Sequence, residues 1–212
     1  MKFDPFKHRR HSIRLKDYDY SREGAYYVTT VAQNRLCLFG DVVNAEMILN
    51  DAGEMLQSQW RALPERFPNI ELDEFVVMPN HFHGIVVMTD KTGRATTRVA
   101  PTRSDADISV GAGLVPAQND HDPVLGEIIG AWKSITTDEY IRGVHELNWE
   151  PFNRKLWQRN YWEYIIRDEK DLNRIRKYII DNPANWNADA ENLKNANATR
   201  RGDPRGRPKT TE

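Results

Sequence analysis

Two histidines separated by one residue are the side chains in this sequence whose types and spacing first suggest chemistry. They lie in the stretch EFVVMPNHFHGIVVM, where His81-Phe82-His83 opens the second of two apolar runs. Alternate residues of a β-strand point to the same face, so the two imidazoles would lie side by side while Phe82 points away. Neutral imidazole is a very common metal ligand. The pattern predicts either a metal site or two hydrogen-bonded histidines near a strand end.

The runs on either side of this pair have the composition of β-strands. Phe75–Met78 and Phe82–Met88 are rich in Val, Ile and Phe, which favour strands. Pro79-Asn80 between them favours a tight turn, because proline fixes φ at the first turn position and asparagine tolerates the second. We therefore expect a β-hairpin over Glu74–Met88 that is buried on both faces.

Periodic segments elsewhere complete an alternation of strands and helices. Strands are predicted at Ala25–Ala32, at Leu36–Val43 and in the aromatic run that ends near Trp162. Helices are predicted at Ala45–Leu63, Pro123–Val144 and Asp168–Asn182. A central hairpin with helices between the outer strands is typical of an antiparallel sheet. We expect an α+β fold whose helices pack on one face of the sheet.

Composition and charge limit the class of protein. The chain has 212 residues, a net charge of -1 and one cysteine, Cys37. This length predicts one domain of ordinary size, and the small net charge means that any nucleic-acid surface must be local. The single cysteine excludes an internal disulfide and fits a reducing compartment. No apolar run is long enough to span a membrane and the N-terminus lacks a signal peptide's apolar segment, so we expect a cytoplasmic protein with no membrane partner.

Three segments differ in composition from the predicted folded domain, which spans residues 24–186. Residues 1–23 form a basic N-terminal arm, and residues 187–212 form a polar, basic tail. Residues 89–122 are longer than an ordinary hairpin connection and have no period, which predicts an inserted flexible segment.

Basic and aromatic side chains are interleaved in the N-terminal arm and around the last predicted strand. Arginine and lysine neutralise phosphates, and aromatic rings stack on unpaired bases. A solvated arm and ordinary rim packing are the alternatives. The predicted DNA-contacting residues are Arg9, Arg10, Arg14, Arg154, Lys155, Arg159, Tyr161 and Trp162.

The last predicted helix carries two polar residues one turn apart. Tyr178 and Asn182 share a face at the edge of the apolar stripe. A tyrosine there is commonly a rim residue, and an asparagine before Pro183 is commonly a C-terminal helix residue. Taken singly, neither is assigned a function by its position.

Several stretches together resemble the REP-associated tyrosine transposases, which are relatives of the single-tyrosine transposases of insertion sequences. They are MPNHFH, WQRNYW and RIRKYIIDNP, with RRHSIRLKDYDYS near the N-terminus. The resemblance covers about Arg9 to Trp186 and omits residues 89–122. One departure is Tyr164, because relatives often carry histidine at that position.

The resemblance implies an HUH endonuclease on a ferredoxin-like sheet, which is also the sheet of RNA-recognition motifs. It implies that His81, His83 and Asn182 bind a divalent metal, Mg²⁺ or Mn²⁺, and that Tyr178 is the nucleophile. The implied partner is single-stranded or hairpin DNA, cut at hairpin-forming repeats through a 5′-phosphotyrosine and then rejoined. We expect this chain to act as a monomer or a homodimer.

Two other functions are compatible with the same residues. A non-catalytic nucleic-acid-binding module on this sheet would leave the histidines idle. A metallohydrolase would use His81, His83 and a carboxylate such as Asp73 or Glu74. Only the transposase would form a covalent adduct with DNA through Tyr178.

Overall fold

A computed structural model describes residues 23–89 and 123–192 of the chain. The strands are β1 (Gly24–Val31), β2 (Gly40–Val43), β3 (Glu46–Leu49), β4 (Ile70–Val77), β5 (His81–Met88) and β6 (Trp162–Ile166). The helices are α1 (Asp51–Arg61), α2 (Leu63–Arg66), α3 (Leu125–Glu146) and α4 (Glu169–Ile180), with 3-10 turns at Gln33–Arg35 and Trp186–Ala188. Within these two ranges, no helix has the length and apolar character needed to cross a membrane.

Four of the strands form an antiparallel sheet in the order β4-β5-β1-β6. The central strand β1 pairs with β5 from Gly24 opposite Met88 to Val31 opposite His81, and with β6 on its other side. Counting β1, β4, β5 and β6 as four successive strands, the chain follows the β-α-β-β-α-β order of ferredoxin-like folds. The expected α+β antiparallel fold is confirmed.

Helices cover both faces of this sheet, so the prediction that they pack on one face is wrong. One face packs against α1 and α3 through a cluster that includes Tyr26, Val28, Trp60, Phe82, Val86 and Trp132. The other face packs against α4 through Tyr27, Ile85, Ile166, Leu172, Ile175 and Ile179. Because β1 and β5 carry apolar residues on both faces, both faces must be removed from water. This arrangement places α4 on the face that carries His81 and His83.

The helix predicted over Ala45–Leu63 begins only at Asp51. Residues Glu46–Leu49 instead form β3, which pairs with β2 in a separate two-stranded sheet. Asn44 and Ala45 have positive φ angles of 52° and 66°, as the two-residue turn of a tight hairpin requires. Asn50 then caps α1, since its side chain accepts a hydrogen bond from the Gly53 N–H at 3.0 Å.

Gly84 follows the histidine pair and lies against the buried ring of Trp60. A Cβ at this position would lie 2.6 Å from Trp60 Cζ2 and 2.8 Å from Phe82 Cε1. We expect Gly84→Ala to lower the free energy of unfolding by about 1–3 kcal/mol, because both rings are tightly packed. Urea unfolding measures this change.

The matched control is Gly130→Ala in α3, where an added Cβ meets no atom within 4 Å. Alanine favours a helix over glycine by up to about 1 kcal/mol, so this variant should be as stable as the parent or more stable. Equal stability of Gly84→Ala and the parent chain would contradict the packing described for Trp60.

Candidate active site

Strand β5 holds His81 and His83 on the sheet face that α4 covers. Their side chains are buried, with 0% and 1% exposure, and the ring centroids are 4.6 Å apart. Neither Nε2 atom has a hydrogen-bond partner. Buried polar atoms normally have one, so each of these two nitrogens needs an explanation.

Asn80 determines which nitrogen of His81 carries the proton. The Asn80 amide nitrogen donates to the carbonyls of Arg35 and Glu191, at 3.1 Å and 2.8 Å. Its amide oxygen therefore faces His81 Nδ1, at 2.9 Å. An amide oxygen only accepts, so Nδ1 is the donor and Nε2 keeps its lone pair. We predicted Asn80 only as a turn residue, and its role toward His81 was not apparent from the sequence.

Two hydroxyl groups of the neighbouring strand hold His83. Thr29 of β1 lies opposite His83, and its Oγ1 is 2.8 Å from His83 Nδ1. The Tyr27 hydroxyl is 2.7 Å from the same nitrogen. Either hydroxyl can accept a hydrogen bond from Nδ1–H. The tautomer with its proton on Nδ1 leaves the Nε2 lone pair available to a metal. The sequence pattern did not indicate these two contacts.

Helix α4 brings Tyr178 and Asn182 to the same place. Asp168 caps this helix, accepting from the Asp171 N–H at 2.8 Å. The Tyr178 ring lies 5.4 Å from the His83 ring, measured between centroids. Asn182 is 2% exposed, and its Oδ1 is a buried atom without a hydrogen-bond partner. The four residues named from the histidine pair and the helix thus lie together.

A carboxylate that we did not predict lies beside the histidines. Asp189 follows the 3-10 turn at Trp186–Ala188, and its Oδ2 is 4.0 Å from His81 Nε2. The ligand atoms of His81, His83 and Asp189 all lie within 4.8 Å of one another. Asp189 falls in the segment that we assigned to the C-terminal tail, where nothing in the composition distinguished it.

The carboxylates proposed for a metallohydrolase are not the ones found with the histidines. Asp73 forms an ion pair with Arg176 of α4, with Oδ1 2.8 Å from Nε. Among the residues that the structure describes, the group of histidines and carboxylates able to hold a metal contains Asp189, and neither Asp73 nor Glu74. This part of the hydrolase alternative is wrong.

The donor atoms present fit a divalent cation. His81 Nε2, His83 Nε2 and Asn182 Oδ1 are all buried without hydrogen-bond partners, and each has a lone pair to offer. Imidazole nitrogen and amide oxygen are ordinary ligands of divalent metals. A bound cation would give each of these atoms the partner that the protein does not provide.

No protein-family model matches the chain. An uncharacterised protein of Haemophilus influenzae is 36% identical over 191 residues, which are 89% of this chain and 96% of that protein. A protein of the same organism described as a putative REP-associated tyrosine transposase is 21% identical over 165 residues, or 78% of this chain and 73% of that protein. The chain is thus similar in sequence to a putative REP-associated tyrosine transposase. The resemblance inferred from the motifs is confirmed.

Two solved structures are also similar to this chain. One is a REP-associated tyrosine transposase bound to a REP hairpin, with a TM-score of 0.49 and 18% identity over 82% of this chain and 74% of the other. The second is described as a putative transposase from Deinococcus radiodurans R1, with a TM-score of 0.39 and 15% identity over 80% of this chain and 97% of the other. Neither similarity assigns a role to any residue of the site.

Burial determines the protonation of the side chains in this site. It lowers the pKa of His81, against the nearby charge of Asp189, and it lowers the pKa of His83 further. Burial also raises the pKa of Tyr178 well above its ordinary value, with a contribution from Asp189, while hydrogen bonding by Asn182 and Tyr27 acts in the opposite direction. The imidazoles are therefore neutral and ready to bind a metal, whereas the phenol retains its proton.

The buried histidines predict a pH-dependent stability. In the unfolded chain they bind protons near the ordinary pKa of 6.5, but in the folded chain they do so only at lower pH. Their contribution to stability is complete above about pH 6.5 and is lost as the pH falls, by about 1.4 kcal/mol for each pKa unit. Urea unfolding at several pH values, with a chelator present, measures this loss. Replacing both histidines by glutamine should flatten the dependence, and an unchanged slope would contradict it.

The residues of this chain that we predicted to contact DNA divide into three groups. Arg9, Arg10 and Arg14 lie outside the described residues. Arg154, Lys155 and Arg159 are exposed, as phosphate contacts require, and Tyr161 is partly buried against the larger core cluster. Trp162 lies in the same cross-strand row as Thr29 and His83, with its ring 5.5 Å from the Tyr27 ring.

Tyr164, which departs from the pattern that the resemblance implies, is on the α4 face of the sheet. It stacks on Trp162 with a centroid distance of 6.1 Å, and the guanidinium of Arg174 lies 6.0 Å from its ring centroid. Both contacts are of the kind made by an aromatic residue at the rim of a core.

The boundaries of the N-terminal arm, the insertion and the C-terminal tail stay predictions. The described part of the chain continues to Asn192, and its last two residues, Glu191 and Asn192, are buried.

Proposed function

We propose that this chain is a metal-dependent single-tyrosine transposase that cleaves and rejoins single-stranded DNA at hairpin-forming repeats. The observation that carries the proposal is the convergence of three buried, unpartnered donor atoms beside the ring of a tyrosine. His81 and His83 supply two of these atoms, Asn182 the third and Tyr178 the ring. The relationship to a transposase family supports the same conclusion.

Tyr178 is the proposed nucleophile. Its phenolic oxygen attacks the scissile phosphorus, the bond from phosphorus to the 3′-oxygen breaks, and the leaving oxygen takes up a proton as a 3′-hydroxyl. The phenol loses its own proton, and the DNA remains attached through a 5′-phosphotyrosine. Because this ester conserves the energy of the broken bond, a second 3′-hydroxyl can attack it and rejoin strands without ATP.

The protein's part in this reaction is to orient the reacting groups. When bound, a divalent cation would polarise the scissile phosphate and stabilise the negative charge that develops on its oxygens. His81 and His83 would hold it through Nε2 and Asn182 through Oδ1, all three being neutral donors. Asn80 keeps His81 in the required tautomer, and Thr29 and Tyr27 orient the ring of His83.

Packing also restricts where the Tyr178 ring can lie. It contacts the rings of both His83 and Tyr27, with centroid distances of 5.4 Å and 6.2 Å. A nucleophile held in this way has little rotational freedom left to lose on reaching the transition state. A strand must be unpaired for its phosphate to approach this position in line, so the substrate is single-stranded DNA beside a hairpin.

Covalent capture tests the proposal. The full chain is incubated with Mn²⁺ or Mg²⁺ and a pool of hairpin oligonucleotides whose single-stranded flanks are randomised, and is then denatured. Label at the 3′ end should stay with the protein, label at the 5′ end should be released, and peptide mass spectrometry should locate the DNA on Tyr178. The adduct should be absent when a chelator is present.

The other outcomes identify the alternatives. Tight binding of the pool without any adduct would favour the non-catalytic module. Release of both DNA fragments with turnover, and no covalent species, would favour a hydrolase.

A further inference from the structure

The residues after α4 fold back over the start of β5. We call residues 186–192 the C-terminal strap. The Glu191 carbonyl accepts from the Asn80 side chain at 2.8 Å, and its carboxylate pairs with Arg35 at 2.5 Å. Asn192 donates to the Trp186 carbonyl at 2.9 Å, and the Trp186 ring lies 5.9 Å from the His81 ring. The strap is therefore bonded to the same side chain that orients His81.

The strap holds Asp189 in one orientation. Its Oδ1 accepts from the Glu191 N–H at 2.6 Å, which leaves Oδ2 directed toward His81. The Asp189 side chain is 5% exposed.

The contact between Asp189 Oδ2 and His81 Nε2 is not a hydrogen bond. Their separation of 4.0 Å is too long, and both atoms present lone pairs because His81 carries its proton on Nδ1. The ligand atoms of His81, His83 and Asp189 all lie within 4.8 Å of one another, so one cation could contact all three. Donors that each lie about 2.1 Å from one cation are up to about 4.2 Å apart, which accommodates this separation.

We propose that Asp189 is a ligand of the divalent cation, carried into the site by the C-terminal strap. This inference rests on the proposed metal site of His81, His83 and Asn182. It adds one negative charge and one hard oxygen donor to a set that is otherwise neutral. Carboxylate oxygen suits Mg²⁺ and Mn²⁺, so Asp189 favours these ions over softer ones.

Titration of the full chain with Mn²⁺ tests the inference without any DNA. The free ion is followed by electron paramagnetic resonance for the parent chain, for Asp189→Asn and for Asp181→Asn. Asparagine at position 189 can still accept from the Glu191 N–H, so the strap should remain folded. We expect Asp189→Asn to weaken Mn²⁺ binding at least about tenfold, and a parental affinity would overturn the inference.

Asp181→Asn is the matched control, because it removes the same charge from the end of α4. That carboxylate is 41% exposed and pairs with Lys177. It should leave Mn²⁺ affinity unchanged. An equal loss in both variants would mean that Asp189 acts through general electrostatics and not as a ligand.

Direct ligation has a spectroscopic signature. In a Cys37→Ser background, Asp189→Cys should show thiolate-to-metal charge-transfer absorption when Co²⁺ is added, since thiolate binds this ion strongly. The background variant without the new thiol should show none. Absence of the band in a variant that still binds Co²⁺ would overturn the assignment.

The failure of this inference is distinguishable from that of the proposed function. If His81→Ala abolishes Mn²⁺ binding while Asp189→Asn binds like the parent chain, the metal site stands and only the role of Asp189 fails. If His81→Ala also binds like the parent chain, the metal site itself is wrong.

Discussion

Replacing Tyr178 by phenylalanine should abolish the covalent protein–DNA adduct and reduce strand cleavage by at least about a thousandfold. The substitution removes one hydroxyl and keeps the ring that packs against His83 and Tyr27. Binding of the hairpin pool should therefore remain within about twofold of the parent chain, because the change removes a reacting atom and not a packing contact. The adduct is measured on denaturing gels with DNA labelled at the 3′ end, and binding by filter retention.

Tyr164→Phe is the matched control for this prediction. Tyr164 is a second tyrosine on the same face of the sheet, and its ring makes its contacts with Trp162 and Arg174. Loss of its hydroxyl should leave adduct formation largely intact. If the adduct persisted in Tyr178→Phe and disappeared in Tyr164→Phe, the nucleophile would have been assigned to the wrong tyrosine.

The second large effect is expected from His83→Ala. The substitution removes His83 Nε2, a buried atom that has no hydrogen-bond partner in the protein. It also removes Nδ1, the hydrogen-bond partner of the Tyr27 and Thr29 hydroxyls. We expect Mn²⁺ affinity to fall at least about a hundredfold, because a proposed metal ligand is lost, and loss of a residue that only orients a ligand already costs about 10–100-fold. Adduct formation should then require far more Mn²⁺ than the parent chain does.

His145→Ala, at an exposed position near the end of α3, is the control for the loss of an imidazole. It should bind Mn²⁺ and form the adduct like the parent chain. Adduct formation by His83→Ala at the parental Mn²⁺ concentration, or by the parent chain in excess chelator, would contradict metal-dependent cleavage. A melting temperature measured with chelator separates loss of metal from loss of fold.

The parts of the site that follow from local periodicity were predictable. The two-residue period of a strand places His81 and His83 on one face, whatever the strand packs against. The helical period places Tyr178 and Asn182 one turn apart, and Asp168 caps that helix as its side-chain chemistry predicts. Each of these predictions depends on residues within one element, where backbone geometry alone relates the side chains.

Relations between distant segments were not predictable in the same way. Both faces of β1 and β5 carry apolar residues, so their pattern could not say which helix would cover which face. The helix predicted from Ala45 was wrong at its start. Met47 and Ile48 fit a helical stripe, but Met47 and Leu49 are also two residues apart, as on one face of a strand.

By itself, the sequence determined the hairpin, the histidine pair and the helix that carries Tyr178, because each depends on short-range backbone geometry. Only the tertiary structure decided that α4 lies on the histidine face, that Asn80, Thr29 and Tyr27 orient the imidazoles, and that Asp189 faces His81. Most of these contacts join residues far apart in the chain, and the Asn80 side chain is itself held by the distant carbonyls of Arg35 and Glu191. They form only once each helix has packed on its face of the sheet. No local pattern contains that information.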